Sequence, residues 1–299
     1  MISRLQRVTS LFDPCFLFRP DVFGQACVRK LRKRPDNYLV KTSWGDAFAV
    51  DPRKFIGAHL YMRGVHELPV CEALWRLADA GETVADIGAN IGVMTSVLSR
   101  RVGTLGRVIA FEPHPLIARS LRNNAKRWSR NNVQVVEAAV SKASGFLTLR
   151  ESGDCETNEG TAQIRSKDPQ SVSGRCFEVR AVALDREFKG TKVSVIKIDV
   201  EGHELAVLEG ATGLLKQGAI RDIVFESTYH YPNAFHRLLL SCGYSVFRIG
   251  HGFWGPQLID PVKLGKGVNL LADYVATTEP NRARKRFAHL GWKALSGQP

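Results

Sequence analysis

The chain has 299 residues, 44% of them hydrophobic, which is enough to bury a large core and excludes global disorder. No apolar run reaches the length of a membrane span. The net charge of +13 is concentrated at the ends: residues 1–41 carry about +6 and residues 281–299 about +5, leaving only about +2 for residues 42–280.

The first residues, MISRLQRVTSLFDPCFLFRP, lack an apolar stretch followed by a small-residue cleavage site, so they are not read as a secretory signal. The six cysteines are scattered without a C-x-x-C pair, which argues against a disulfide framework or a thiolate zinc site. A reducing, cytoplasmic location is the expectation. Residues 1–37 read as a basic arm, with Arg29-Lys30 and Arg32-Lys33-Arg34 as its charge run.

A hairpin follows, Tyr38–Val40 with Ala47–Val50, turning around Trp44-Gly45-Asp46. A helix is predicted over Val70–Ala80, where Leu74, Leu77 and Ala78 share a face and Gly81 stops it. Strands are then predicted at 83–87, 107–111, 133–136, 193–198, 220–225, 244–248 and 270–276. Helices are predicted at 91–101, 115–128, 203–216 and 232–241. Alternating strands and helices imply a parallel sheet with covering helices. The last two strands have only Gly/Pro-rich sequence between them and read as a hairpin, giving the sheet an antiparallel edge. The polar stretch 151–175 is long for a connection within a domain; such a stretch is often functional, with disorder as the plain alternative. The whole divides into a basic arm (1–37), one α/β domain with an N-terminal hairpin (38–280) and a basic tail (281–299).

The segment VADIGANIGVMTSVLSR, residues 84–100, places Asp86 near the end of the first central strand, then a glycine turn, Gly88-Ala89-Asn90-Ile91-Gly92, then a helix. Such strand–turn–helix units hold nucleotides at the carboxyl ends of strands. Glu112 ends the next strand 20 residues beyond Gly92, the spacing at which an acid accepts hydrogen bonds from ribose hydroxyls. The middle glycine of a dinucleotide fingerprint is replaced by Asn90, and Asp86 would repel a pyrophosphate. S-adenosylmethionine carries no phosphate but has a sulfonium and an ammonium, both favoured by a carboxylate. Its own carboxylate has the N–H groups of the glycine turn as candidate donors.

DIGANIG, AFEPHP, TNEG and IKIDVEGHELAVLEGA, in this order and spacing, resemble the FkbM family of S-adenosylmethionine-dependent methyltransferases over roughly residues 38–276. The resemblance implies a class I methyltransferase fold, a Rossmann-like sheet, and O-methylation of a hydroxyl on a sugar, glycan or polyketide-like acceptor. It assigns cofactor binding to Asp86, Gly88, Ala89, Asn90, Gly92, Glu112 and Pro113, joined by Ala138 just beyond the 133–136 strand. It places Asn158 and Gly160 toward the substrate, and its fourth motif falls on Lys197, Asp199, Glu201, Gly202 and Glu204.

Methyl transfer to an alcohol needs an oxygen held in line and a group to take its proton. Asp199 and His203 are the candidate catalytic residues. Glu201, Glu204 and Glu226 are candidates for substrate contact, with Tyr229, His230 and Tyr231 close in sequence to the last of these. Asp199, Glu201 and Glu226 would also be the oxygen donors for a divalent metal, which is not expected because no specific ligand spacing is present. Two other readings stand beside the first: an RNA methyltransferase whose basic ends track phosphates, and a protein that binds S-adenosylmethionine without turnover. The near-neutral middle of the chain disfavours sequence-specific nucleic-acid binding. The basic ends suit contact with an anionic surface such as membrane lipid.

Overall fold

The computed structural model describes residues 14–151, 163–164, 175–227, 231–264 and 272–297. In chain order its elements are α1 (Pro14–Leu17), α2 (Pro20–Lys30), β1 (Tyr38–Lys41), β2 (Ala47–Val50), α3 (Phe55–Arg63), α4 (Leu68–Leu77), β3 (Thr83–Ile87), α5 (Val93–Val102), β4 (Arg107–Phe111), α6 (Pro115–Ala125), β5 (Val133–Val136), β6 (Ala139–Val140), β7 (Gly145–Arg150), β8 (Gln163–Ile164) and β9 (Cys176–Val182). They continue with α7 (Leu184–Glu187), β10 (Val193–Ile198), α8 (Glu204–Glu209), α9 (Thr212–Lys216), β11 (Ile220–Ser227), α10 (Ala234–Ser241), β12 (Ser245–Gly252), β13 (Gly255–Ile259), β14 (Ala272–Thr277), α11 (Pro280–Phe287) and α12 (Lys293–Ser296).

The main sheet runs β13-β12-β14-β11-β10-β3-β4-β5. From β5 to β11 all pairings are parallel. This is the class I methyltransferase, Rossmann-like sheet. The chain winds outward through β3, β4 and β5, then returns to lay β10 against the other side of β3. The strand order therefore reverses between β3 and β10, where open α/β sheets form their ligand crevice.

The antiparallel edge strand is β13, paired with β12. The two strands predicted as a hairpin do pair, β12 with β14, but β14 lies inside the sheet, antiparallel to both β11 and β12. The reason is in the burial: Val275 and Ala276 are fully buried, as suits a central strand, whereas β13 carries Pro256, which an edge tolerates. The predicted helix 203–216 is two helices, α8 and α9. At the break, a β-carbon on Gly210 would lie 2.2 Å from the carbonyl oxygen of Ser141, so the chain must bend and stay bare there.

Two apolar layers flank the sheet. One gathers α3, α4 and α5 with the C-terminal helices around Trp44, Trp75, Leu74 and Leu98. The other packs α8, α9 and α10 against Ile196, Ile223 and Phe225. The C-terminal segment expected as a basic tail is part of the first layer. Phe287, Trp292, Ala294 and Leu295 are buried, and Arg282 and Arg286 pair with Asp79 at 2.7 and 2.8 Å, Arg282 also with Asp222 at 2.9 Å. A buried Glu72–Arg76 ion pair at 2.7 Å clasps this segment: Arg76 donates to the carbonyls of Phe287, His289 and Gly291, and Glu72 accepts from the Ala294 N–H. At the N-terminal side, α2 buries Val22 and Ala26, and Arg29 donates to the Tyr61 carbonyl beneath the Tyr38 and Tyr61 rings.

Candidate active site

The turn after β3 is held by its own amides. Gly88 and Ala89 both donate to the Phe111 carbonyl at 3.0 Å, and Gly92 donates to the Ala89 carbonyl at 2.9 Å. Asn90 donates to Glu112 Oε2 at 2.9 Å, and Ile91 donates to Asn90 Oδ1 at 2.7 Å. Gly88, Asn90 and Gly92 sit at φ of +78°, +49° and +102°, the left-handed region that glycine and asparagine tolerate best. The five amides of the turn are thus all engaged within the protein, and one of them, that of Asn90, holds Glu112.

Glu112 takes a second backbone bond, from His114 N at 2.9 Å. Burial outweighs these two bonds and pushes its pKa up to about 7. Glu112 lines a cleft of about 1090 Å³, measured out to its open mouth, together with Gly88, Ala89, Asn90, Pro113 and Ala138. Met94, Phe111, Ile117, Val140 and Leu149 supply its apolar wall, and Lys197, Asp199 and Glu201 close the far side.

Asp86 and Gly92 do not line this cleft. Asp86 is fully buried: Thr95 Oγ1 donates to its Oδ2 at 2.5 Å, while Oδ1 has no hydrogen-bond partner and faces Lys197 Nζ at 3.9 Å. Burial raises its pKa despite Lys197. Its charge reaches the cleft only through that lysine. Gly92 caps α5, with Leu121 and Trp128 filling the space where a side chain would stand.

Lys197 is the hub of the far side. Its ammonium lies 3.0 Å from Asp199 Oδ2 and donates to the Gly88 carbonyl at 3.3 Å. Burial works against its charge, but Asp199, Asp86 and Glu67 prevail and hold its pKa above the ordinary range. Carboxylates crowd around it. Glu226 on β11 stands directly across from Asp273 on β14. Burial, then Asp199 and Asp273, push Glu226 up to about 8; burial, then Glu67 and Asp199, push Asp273 up to about 7. Burial, then Asp199 and Glu204, push Glu201 up to about 7. Glu67 also faces the cleft from the start of α4; burial raises its pKa, yet His66, 3.3 Å away, brings it below the ordinary value. Among the described residues, no three His, Cys, Asp or Glu side chains form a group that could hold a metal ion.

Three further sequence candidates, His203, Glu204 and Glu226, stand outside the cleft wall. His203 bonds Ser141 Oγ through Nε2 at 2.9 Å and does not line the cleft, because Glu201 and Gly202, at φ of +52° and +92°, swing the chain aside before it. Glu204 accepts from Gly202 N at 2.9 Å and serves the start of α8. Glu226 sits behind Asp199 rather than in the cleft wall. Tyr231 packs on His236 and Tyr274. Asn158, Gly160, Tyr229 and His230 lie outside the described residues. Among the cleft residues missed from sequence are Phe55, His66, Glu67 and Met94, with Asp273 behind them. Met94 stands two residues past the glycine turn, whereas the others belong to no motif and come from other elements of the chain.

The family model for the Methyltransferase FkbM domain matches residues 86–246. The chain is similar to the hexuronic acid methyltransferase AglP of Haloferax volcanii, 29% identical over 150 residues, covering 50% of this chain and 58% of that protein. It is also similar to Methyltransferase 1 of Beauveria bassiana, 26% identical over 143 residues, 42% of this chain and 57% of that protein. The chain thus spans less than three fifths of the length of either relative. Among solved structures it resembles the methyltransferase FkbM from Methylobacillus flagellatus at 15% identity and a TM-score of 0.43, over 87% of this chain and 59% of that one.

Proposed function

The chain belongs to the FkbM methyltransferase family, and from that premise we propose that it binds S-adenosylmethionine and methylates a hydroxyl of a sugar-like acceptor. The observation that carries the reading is the charge of the cleft at the β3/β10 switch point. Glu112 presents a carboxylate for ribose, and Lys197, among the described residues the only Lys or Arg of the cleft wall, is already matched by Asp199 and Asp86. A site so rich in acids suits a cationic, phosphate-free cofactor and disfavours a pyrophosphate.

In this reading Glu112 holds the ribose hydroxyls, and Met94, Phe111, Ile117 and Leu149 pack the adenine. Asp199, Glu67 and Glu201 face the cationic part. When bound, the cofactor supplies an electrophilic methyl on sulfur. Asp199 accepts the hydrogen bond of the acceptor hydroxyl, and Lys197 fixes the rotamer of Asp199 from below. The name of the AglP relative supports a sugar acceptor. The RNA reading loses support because Arg282 and Arg286 are committed to Asp79 and Asp222 rather than to a phosphate track.

The test is calorimetry with S-adenosylmethionine and with NAD, followed by labelled-methyl transfer to neutral sugars and hexuronic acids. Binding of the first cofactor alone and an O-methylated product are expected, with Asp199→Asn lowering turnover more than cofactor affinity. An N-methylated product, or turnover untouched in Asp199→Asn, would overturn the assignment.

A further inference from the structure

Helix α2 is apolar on two sides. Its inner side buries Val22 and Ala26, while Phe23, Cys27 and Leu31, at helical spacing of four, form an outward stripe with Val28 beside it. Leu31 is 90% exposed. A second exposed apolar group adjoins it. Phe253 and Trp254 form the tip of the β12–β13 hairpin, and Phe18 packs on both, at 6.3 and 6.4 Å between ring centroids. Phe16, two residues before Phe18 in the chain, contacts Phe23 at 5.6 Å.

Cations flank this surface. Lys30, Arg32 and Lys33 are exposed at the end of α2, and its one acid, Asp21, is neutralised by Arg19 at 2.8 Å. An exposed apolar stripe bordered by Lys and Arg is the pattern of a helix lying in a bilayer interface, and Trp favours the headgroup level. We infer that the face formed by α2, Phe18 and the Phe253–Trp254 tip docks on an anionic lipid bilayer. No helix of the described residues is long and apolar enough to cross a membrane. Phe253 also lines a chamber of about 1230 Å³, measured like the cleft out to its open mouth, whose wall shares Phe55, His66 and Glu67 with the cleft. The docking face therefore rims an approach to the candidate active site.

The molecule carries its own reporter. Trp44, Trp75, Trp128 and Trp292 are buried, whereas Trp254 is 60% exposed. The full chain is sedimented with vesicles of phosphatidylcholine alone and of phosphatidylcholine with an equal share of phosphatidylglycerol, while tryptophan emission is recorded. Binding to the anionic vesicles only is expected, with a blue shift that disappears in Trp254→Phe. Because each cation near such a surface contributes about fivefold, Arg32→Glu with Lys33→Glu lowers partitioning at least ~tenfold. Leu31→Glu weakens it as well. These side chains are exposed, so the variants keep the wild-type melting temperature. Absence of binding to anionic vesicles overturns the inference. So does binding without a blue shift that Leu31→Glu leaves unchanged, since that is adsorption by charge alone.

Discussion

Gly88 and Asp199 approach so closely that a β-carbon on Gly88 would fall 1.7 Å from the carbonyl oxygen of Asp199. The contact joins the ends of β3 and β10, where the Asp199 N–H donates to the Ile87 carbonyl and Lys197 reaches both the Gly88 carbonyl and the Asp199 carboxylate. Gly88→Ala must part these strands and also hold alanine at φ +78°. Overpacking and backbone strain of this kind cost ~1–3 kcal/mol each. A lower melting temperature and a loss of cofactor binding are expected together; a Gly88→Ala protein with wild-type melting would contradict the geometry.

Glu112→Ala removes charge-assisted bonds to ribose worth ~1.5–3 kcal/mol, which corresponds to about a ten- to hundredfold loss of S-adenosylmethionine affinity. Calorimetry on the folded variant measures it directly. Unchanged affinity would take Glu112 out of the cofactor site.

The carboxyls of Glu112, Glu201, Glu226 and Asp273 have folded-state pKa values of about 7, 7, 8 and 7. All are raised above their ordinary values of about 4, so between roughly pH 4 and 8 the folded protein binds more protons than the unfolded chain. Stability contributed by these groups is therefore full below the unfolded pKa and is lost as pH rises through 7 to 8. Denaturant unfolding across this range should show a falling stability whose slope is reduced in Glu226→Gln. A slope that Glu226→Gln does not change would show that Glu226 ionises normally.

A cationic ligand entering the same cluster should favour the ionised carboxyls. Cofactor binding near pH 7 is then expected to release protons, seen as a binding enthalpy that varies with the ionisation enthalpy of the buffer. An enthalpy independent of buffer would place the positive charge elsewhere.

Truncation after residue 279 removes Phe287, Trp292 and Leu295 from the core and leaves the buried Glu72 and Arg76 without the backbone partners they clasp. Burial of each large apolar side chain contributes ~1.5–3 kcal/mol, so the sum rivals the whole stability of a domain. The truncated chain should lose its cooperative melting transition. Retention of that transition would restore the view of residues 281–299 as a dispensable tail.

The alternation of strands and helices, the Gly88–Gly92 turn and the position of Glu112 were all readable from the sequence, because each depends on periodicity or spacing within some thirty residues. Local pattern also located Asp199 at the end of its strand. It did not reveal that β14 enters the sheet interior, that Gly210 breaks a helix against Ser141, or that His203 turns from the cleft. Those outcomes depend on neighbours distant along the chain.

The same division holds for charge. Sequence alone determined the amount and the linear distribution of charge, and by charge the C-terminal end read as a basic tail. Only the tertiary structure decided which charges face water. Arg282 and Arg286 found Asp79 and Asp222, Asp86 was buried under Lys197, and Glu67, Asp199, Glu226 and Asp273 converged from four separate elements. Coulomb energy and desolvation depend on distance and burial in space, and neither is a function of position along the chain.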